Sequence, residues 1–95
     1  MNKKCYWVYI LYCANDCYYT GYTQDLAKRY DAHCNGIASK YTRSFKPLKI
    51  AQSWKLNDQS IAMRYERVIK KLSRKEKEKI IAQPSLLVEV AGYCG

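Results

Sequence analysis

The sequence predicts an α+β domain: a small, mostly antiparallel three-stranded sheet flanked by helices, in the order β-β-α-β-α-α. Three observations support it. Two stretches near the N-terminus are dense in aromatic and β-branched residues and are separated by turn residues, as in a hairpin. An amphipathic segment and a third strand-like stretch follow. Two further segments with helical spacing then carry the chain toward its C-terminus.

The first strand is predicted over residues 4–13, where apolar side chains occupy both alternating positions. A strand that is covered on both faces is usually central in its sheet. The second strand is predicted over residues 17–22, after a turn at Ala14-Asn15-Asp16.

The length of this turn decides whether Tyr9 and Tyr19 share a face of the sheet. A two-residue loop at Asn15-Asp16 would place them on opposite faces, because side chains alternate along a strand. A three-residue loop closed by Asp16 in the left-handed region places them on the same face. We predict the three-residue loop, since aspartate tolerates that conformation better than most residues other than glycine.

The first helix is predicted to begin with Thr23 as its N-cap and Asp25 in its first turn, and to end at Asn35-Gly36. Its apolar stripe comprises Leu26, Tyr30, His33 and Cys34. Residues 37–47 are predicted to form a polar, basic loop.

The third strand is predicted from an alternating pattern of apolar residues: Leu48, Ile50, Trp54 and Leu56. Asn57 or Asp58 then caps a second helix. The predicted buried stripe of that helix comprises Ile61, Tyr65, Val68, Ile69 and Leu72. Ser73 and Glu76 form a capping box, so a third helix is predicted to start there and to end before Pro84.

These elements predict a single domain over residues 1–83, followed by a tail over residues 84–95. The tail contains the apolar run Leu86-Leu87-Val88-Glu89-Val90-Ala91. The run fits an added edge strand, and it fits a docked or mobile end equally well.

Composition indicates a polyanionic partner. The 95 residues carry 17 Lys+Arg against 8 Asp+Glu, a formal net charge of +9. Nucleic acid is favoured over an acidic membrane surface, because no basic amphipathic segment with bulky apolar anchors stands out.

No membrane span and no signal peptide are recognisable, which predicts a cytoplasmic protein. The 5 cysteines lack zinc-site spacing, only 1 histidine accompanies them, and they are expected to be reduced thiols.

Four residues suggest phosphodiester chemistry: Tyr9, Tyr19, Arg29 and Glu66. Two phenols, a guanidinium and a carboxylate are groups that can bind a phosphodiester and a divalent metal ion.

The pattern formed by Trp7-Val8-Tyr9, Tyr19-Thr20-Gly21, Arg29 and Glu66 resembles the catalytic domain of the GIY-YIG nucleases. His33 falls one helical turn after Arg29, where that family places a histidine or a tyrosine. The resemblance covers residues 4–80 and is most similar to small stand-alone members of the family, which also carry segments like Lys40-Tyr41-Thr42-Arg43 and Ile69-Lys70-Lys71-Leu72-Ser73.

The resemblance implies a metal-dependent endonuclease acting on DNA, with Mg²⁺ or Mn²⁺ as cofactor. It makes Tyr19 the general base and Tyr9 a partner that orients water or phosphate. It makes Glu66 the metal ligand and Arg29 the group that steadies the phosphate. A phenol that takes a proton from water needs a lowered pKa, which Arg29, Lys28 and a metal ion would favour.

Each of these residues also has an ordinary structural interpretation. The tyrosines would pack their rings and hydrogen-bond at an edge. Arg29 would form an internal salt bridge with Glu66, or Glu66 would form a surface ion pair on a basic helix. His33 would be a satisfied core residue.

A nucleic-acid footprint is predicted from the remaining charges and one aromatic residue: Lys28, Lys40, Tyr41, Arg43, Lys46, Lys70 and Lys71. A solvated basic face is the alternative. Two other functions remain open, namely a catalytically weak or inactive nucleic-acid-binding module of the same fold and a protein-interaction domain. The sequence leaves the oligomeric state open.

Overall fold

A computed structural model describes residues 5–90 of the chain. Its elements, in chain order, are β1 (Tyr6–Cys13), β2 (Tyr18–Thr23), α1 (Leu26–Cys34), α2 (Lys40–Ser44), β3 (Pro47–Leu56), α3 (Gln59–Lys71), α4 (Arg74–Ala82) and α5 (Leu86–Val90). The three strands form one antiparallel sheet in the order β2-β1-β3. The predicted α+β class and the central position of the first strand are confirmed.

The core lies on both faces of β1. One face carries Tyr6, Val8 and Ile10, which pack with Ala62 and Ile69 of α3. The other face carries Tyr9, Leu11 and Cys13, against which side chains of α1 and α2 pack. The helices therefore sandwich the sheet, and a residue's parity along β1 decides which helix it contacts.

Strand β3 contains two irregularities that the alternating pattern did not predict. Ile10 pairs with Gln52 and Leu11 with Ile50, so one residue of β3 bulges out between them. The bulge reverses the parity of the strand. As a result Ile50 packs on the Tyr9 face, whereas Trp54 packs on the Val8 face.

The first helix begins two residues later than predicted. Its N-cap is Asp25, whose carboxylate accepts a hydrogen bond from the Lys28 N–H at 3.0 Å. Thr23 ends β2, and its hydroxyl accepts a hydrogen bond from the Asp25 N–H. The end of the helix is confirmed, with Asn35 as C-cap and Gly36 at a φ of 75°.

Residues 37–47 are not simply a loop. They contain α2, whose N-cap Ser39 accepts a hydrogen bond from the Thr42 N–H at 3.1 Å. Serine and threonine hydroxyls are good helix caps even in a segment without apolar periodicity. The burial pattern of α3 also differs from the prediction, since Ile61 is exposed and Ala62 is fully buried.

The capping box of Ser73 and Glu76 is confirmed. The described part of the tail is not an edge strand, because residues 86–90 form α5, and residues 91–95 lie outside the described residues. Trp54 Nε1 donates a hydrogen bond to the Pro84 carbonyl at 3.0 Å, and Leu87 is fully buried in the core. The apolar run therefore docks as a helical turn. Among the described residues, no helix is long and apolar enough to cross a membrane.

Candidate active site

The hairpin has the geometry that brings the two motif tyrosines together. Asp16 adopts a φ of 64°, and the loop closes with the Asp16 N–H donating to the Cys13 carbonyl at 2.9 Å. Leu11 pairs with Tyr19, and Tyr9 pairs with Gly21. Because directly paired residues project from the same face, the prediction that Tyr9 and Tyr19 share a face is confirmed.

Gly21 leaves room for the phenol of Tyr9. A Cβ atom at Gly21 would lie 2.6 Å from Tyr9 Oη and 2.8 Å from Tyr9 Cζ. The Tyr9 ring therefore extends across the edge strand at the one position that carries no side chain. The glycine of the second motif is required for this close approach rather than for an unusual backbone angle.

Helix α1 places His33 and Arg29 on successive turns beside the tyrosines. His33 is only 1% exposed, and its ring meets those of Tyr9 and Tyr19 edge-on, at centroid distances of 5.6 and 5.2 Å. Its Nε2 lies 2.8 Å from Tyr9 Oη. Arg29 is exposed. The histidine thus anchors both phenols, whereas the guanidinium remains open to solvent.

Glu66 lies on helix α3, which packs on the face of the sheet opposite to α1. Glu66 forms an ion pair with Lys70 at 3.4 Å, one turn further along the helix. The internal salt bridge to Arg29, considered as an alternative from the sequence, is absent from the ion pairs of the described residues. The helical ion pair that was the other alternative for Glu66 is present.

These side chains surround one open cavity of about 370 Å³ at the β2 edge. Its lining comprises Tyr6, Tyr9, Tyr19, Gly21, Tyr22, Thr23, Gln24, Arg29, Gln59 and Glu66. Tyr9, Tyr19, Arg29 and Glu66, the four residues that suggested phosphodiester chemistry in the sequence, thus line one concave surface. Tyr6, Tyr22, Gln24 and Gln59 were not predicted, because nothing in their sequence spacing distinguishes them from ordinary surface or core residues.

The environment keeps Tyr9 and His33 neutral near pH 7. Burial, reinforced by the neighbouring Tyr19, raises the pKa of Tyr9 to about 12, although Arg29 offsets part of the rise. Burial, together with the positive charge of Arg29, lowers the pKa of His33 below its usual value of 6.5. Tyr9 is thus a neutral hydrogen-bond partner.

The lowered His33 pKa predicts a specific acid sensitivity of the fold. Below about pH 6.5 the unfolded chain binds a proton at His33 that the folded chain does not, so stability is complete above this value and falls as the pH decreases. We expect the free energy of unfolding to decrease by at most about 1.4 kcal/mol per pH unit between pH 6.5 and 5. Urea unfolding at several pH values measures this slope.

His33→Gln is the control for this experiment, because His33 is the chain's only histidine and the carboxylates with lowered pKa values lose stability only at lower pH. An identical slope between pH 6.5 and 5 in wild type and variant would contradict the prediction.

A buried polar chain extends behind His33 and was not predicted. His33 Nδ1 lies 2.7 Å from Thr42 Oγ1, which in turn lies 2.9 Å from Ser39 Oγ. Thr42 is 1% exposed. A signal was available in the sequence, since Ser39 and Thr42 have the spacing of an N-cap and the third residue of a helix.

The predicted footprint residues are distributed over α1, α2, α3 and the loop before β3. All of its cationic members are exposed: Lys28, Lys40, Arg43, Lys46, Lys70 and Lys71. Tyr41 differs from them. Its ring stacks on Tyr19 at 5.7 Å and contacts Phe45, and its hydroxyl accepts a hydrogen bond from Asn15 Nδ2 at 2.9 Å. Tyr41 is thus held by contacts within the protein, and its role in base stacking stays a prediction.

The donor groups for a metal ion are few. In the part of the chain that the structure describes, no three His, Cys, Asp or Glu side chains cluster as a metal-binding group. Among the described residues that line the cavity, Glu66 alone presents a carboxylate to it. One carboxylate with water and substrate oxygens is a normal coordination for Mg²⁺, which prefers hard oxygen ligands. The donor present therefore fits this metal and not a preformed zinc site.

Comparison with known proteins agrees with this fold. Residues 5–79 match the family model described as the GIY-YIG catalytic domain. The chain therefore belongs to the GIY-YIG nuclease family.

Within that family the chain is similar to proteins named UPF0213. It is 39% identical over 77 residues to the UPF0213 protein BH0048 of Halalkalibacterium halodurans, covering 81% of this chain and 82% of the relative. It is 38% identical over 84 residues to the UPF0213 protein FN1575 of Fusobacterium nucleatum, covering 88% of this chain and 84% of the relative.

Two solution NMR structures have the same fold. That of UPF0213 protein BH0048 superposes with a TM-score of 0.55 at 36% identity, covering 88% of this chain and 93% of the other. That of the protein EF2693 from E. faecalis superposes with a TM-score of 0.61 at 33% identity, covering 90% and 91%. The small single-domain architecture is thus shared with these relatives.

Proposed function

We propose that this protein is a metal-dependent endonuclease that hydrolyses DNA phosphodiester bonds. One observation carries the proposal: two phenols, a guanidinium and a carboxylate from four different elements line a single open cavity in a chain of the GIY-YIG family. Such a set can activate water, hold a phosphate and bind a divalent cation.

Tyr19 is proposed as the general base that takes a proton from the attacking water. Its ring is fixed between contacts with His33 and Tyr41, so its hydroxyl is held at the cavity wall. Tyr9 is proposed to orient that water or the phosphate. Its raised pKa supports this division of roles, because a phenol that stays protonated is a hydrogen-bond partner and not a base.

Arg29 is proposed to hold the phosphate and to stabilise the charge that develops on it. The guanidinium is exposed at the cavity and forms no ion pair with any side chain of residues 5–88. A planar guanidinium that is not paired with an acidic side chain of the protein is well suited to bind a phosphate through two parallel hydrogen bonds.

Glu66 is proposed to hold Mg²⁺ or Mn²⁺ on the leaving-group side of the phosphate. When bound, the ion would neutralise charge on the phosphate and on the leaving oxygen. To bind the metal ion, the Glu66 carboxylate would have to weaken its ion pair with Lys70. At 23% side-chain exposure, Glu66 is accessible from the cavity for this role.

DNA is proposed to be bound through its phosphates, because the exposed cations spread over α1, α2 and α3, and no element of the described residues is recognisable as one that reads bases.

We propose a cytoplasmic location, since free thiols at Cys5, Cys13, Cys17 and Cys34 suit a reducing compartment.

The salt dependence of binding tests the phosphate contacts. If about five phosphates are neutralised, log affinity plotted against log salt should have a slope of about −4 to −5. Fluorescence anisotropy with a short duplex at several salt concentrations gives this slope. A flat response would favour the protein-interaction function over both nucleic-acid functions.

A catalytically weak DNA-binding module is the second candidate. It is favoured by the single cavity carboxylate, because many metal nucleases hold their ions with several acidic residues. Incubation of supercoiled and of branched DNA with the purified protein, with and without Mg²⁺, separates the two. Mg²⁺-dependent nicking supports the nuclease, whereas binding without nicking under all conditions supports the module.

A further inference from the structure

The side chains of the buried polar chain behind the cavity are joined by consecutive hydrogen bonds. The chain runs from Tyr9 through His33 to Thr42 and Ser39, with donor–acceptor distances of 2.8, 2.7 and 2.9 Å. Tyr9, His33 and Thr42 are each 1% exposed, so the two hydrogen bonds of His33 are shielded from solvent. The position of the imidazole proton therefore decides which partner donates in each of them.

A neutral imidazole carries one N–H, so only two arrangements satisfy the chain. In the first, Tyr9 donates to His33 Nε2, and His33 Nδ1–H donates to Thr42. In the second, Thr42 donates to His33 Nδ1, and Nε2–H donates to the phenol oxygen. The two differ in what Tyr9 shows to the cavity: lone pairs in the first arrangement, and its hydrogen in the second.

The partners at the two ends favour the first arrangement. A phenol is a better donor than acceptor, and the unprotonated nitrogen of imidazole is a strong acceptor. On its cavity side Tyr9 faces Arg29, which can only donate, and a phenol hydrogen that points to His33 leaves both oxygen lone pairs for that side, whereas the second arrangement directs the hydrogen toward the cavity. At the other end Ser39 Oγ can accept the hydrogen of Thr42 in addition to the Thr42 N–H.

We propose that Thr42 is a positioning residue: by accepting a hydrogen bond from Nδ1–H of His33, it fixes that tautomer and makes Tyr9 present its lone pairs to the cavity. The tautomer of a histidine is set by the hydrogen bond that its far nitrogen makes. The link to catalysis rests on the proposed nuclease function, in which Tyr9 accepts a hydrogen bond from the attacking water and thereby orients it, while Tyr19 takes the proton.

The single histidine makes the proposal directly measurable. Nitrogen-15 NMR of the imidazole distinguishes the protonated nitrogen from the unprotonated one. At pH 7 we expect Nδ1 to be protonated in the wild-type protein and in Thr42→Ser, which keeps the hydroxyl. We expect Thr42→Val, which has nearly the same shape without the hydroxyl, to lose this single tautomer.

Cleavage kinetics supply the second readout. Thr42→Val should lower kcat by about 10-fold with little change in KM, the scale of one misplaced hydrogen bond in the transition state, and Thr42→Ser should restore it. Nε2 protonation in the wild type would overturn the proposal, as would an unchanged tautomer in folded Thr42→Val. If Thr42→Val does not fold, the wild-type spectrum decides alone. Nδ1 protonation in a protein without nuclease activity would support the role of Thr42 and reject the nuclease.

Discussion

Tyr19→Phe and Glu66→Gln should each reduce Mg²⁺-dependent DNA cleavage by about 10²-fold or more while DNA affinity hardly changes. The Tyr19 hydroxyl makes no hydrogen bond to another of the described residues, so its removal leaves the ring contacts with His33 and Tyr41 intact. Glu66→Gln keeps the shape of the side chain and removes the charge proposed to hold the metal. Its affinity for DNA should stay level or rise, because a negative charge near the phosphate is lost.

The chain offers a matched control for each variant. Tyr18→Phe removes a neighbouring strand hydroxyl that points away from the cavity, and Glu78→Gln removes the carboxylate of another helical ion pair, with Arg74. Both should cleave like the wild type. Arg29→Ala should lower binding and rate together, because one group serves both.

Nicking rates and binding titrations on the same preparations separate these effects. Undiminished nicking in both Tyr19→Phe and Glu66→Gln would assign the activity to a contaminant or to another site. The binding-module function would then be the better account of the cavity.

Gly21→Ala should destabilise the protein by about 1–3 kcal/mol, the usual cost of overpacking, and should lower cleavage by about 10-fold or more. The new Cβ would lie 2.6 Å from Tyr9 Oη, inside van der Waals contact. Tyr9 cannot simply swing away, because its ring is buried and its hydroxyl is bonded to His33. To relieve the clash, the phenol would have to break its hydrogen bond with His33 and leave its place at the cavity wall.

The sign of the stability change makes this prediction specific. Alanine normally stabilises a strand interior by about 0.5–1 kcal/mol relative to glycine. The glycine with a positive φ is Gly36 rather than Gly21, so no backbone strain would mask that gain. Urea unfolding gives the sign, and a variant as stable as the wild type would show that the contact is not restrictive.

A double-mutant cycle with Tyr9→Phe identifies the contact itself. Tyr9→Phe removes the closest atom, so Gly21→Ala should cost less in that background than in the wild type. Equal costs in both backgrounds would assign the destabilisation to some other neighbour of Gly21.

The sequence by itself determined the hairpin and, with it, half of the site. Asp16 in a three-residue loop sets the register that pairs Leu11 with Tyr19, and this register follows from local backbone preferences and the two-residue period of a strand. The capping box of Ser73 and Glu76 and the end of α1 at Gly36 are equally local signals. Such features need no partner elsewhere in the chain, so a pattern of neighbouring residues is sufficient to predict them.

Features that depend on contact between two secondary-structure elements were decided only by the tertiary structure. The bulge in β3 reverses the face of Ile50 because β1 requires apolar partners on both sides. The apolar run after Pro84 is helical because Leu87 docks into the core. The resemblance to the GIY-YIG nucleases made Tyr9 and His33 candidate site residues. It could not show their hydrogen bond or the raised pKa of the phenol, because burial is a property of the packed chain. Thr42 was not predicted for the same reason, because its hydroxyl reaches His33 only when α2 packs against α1.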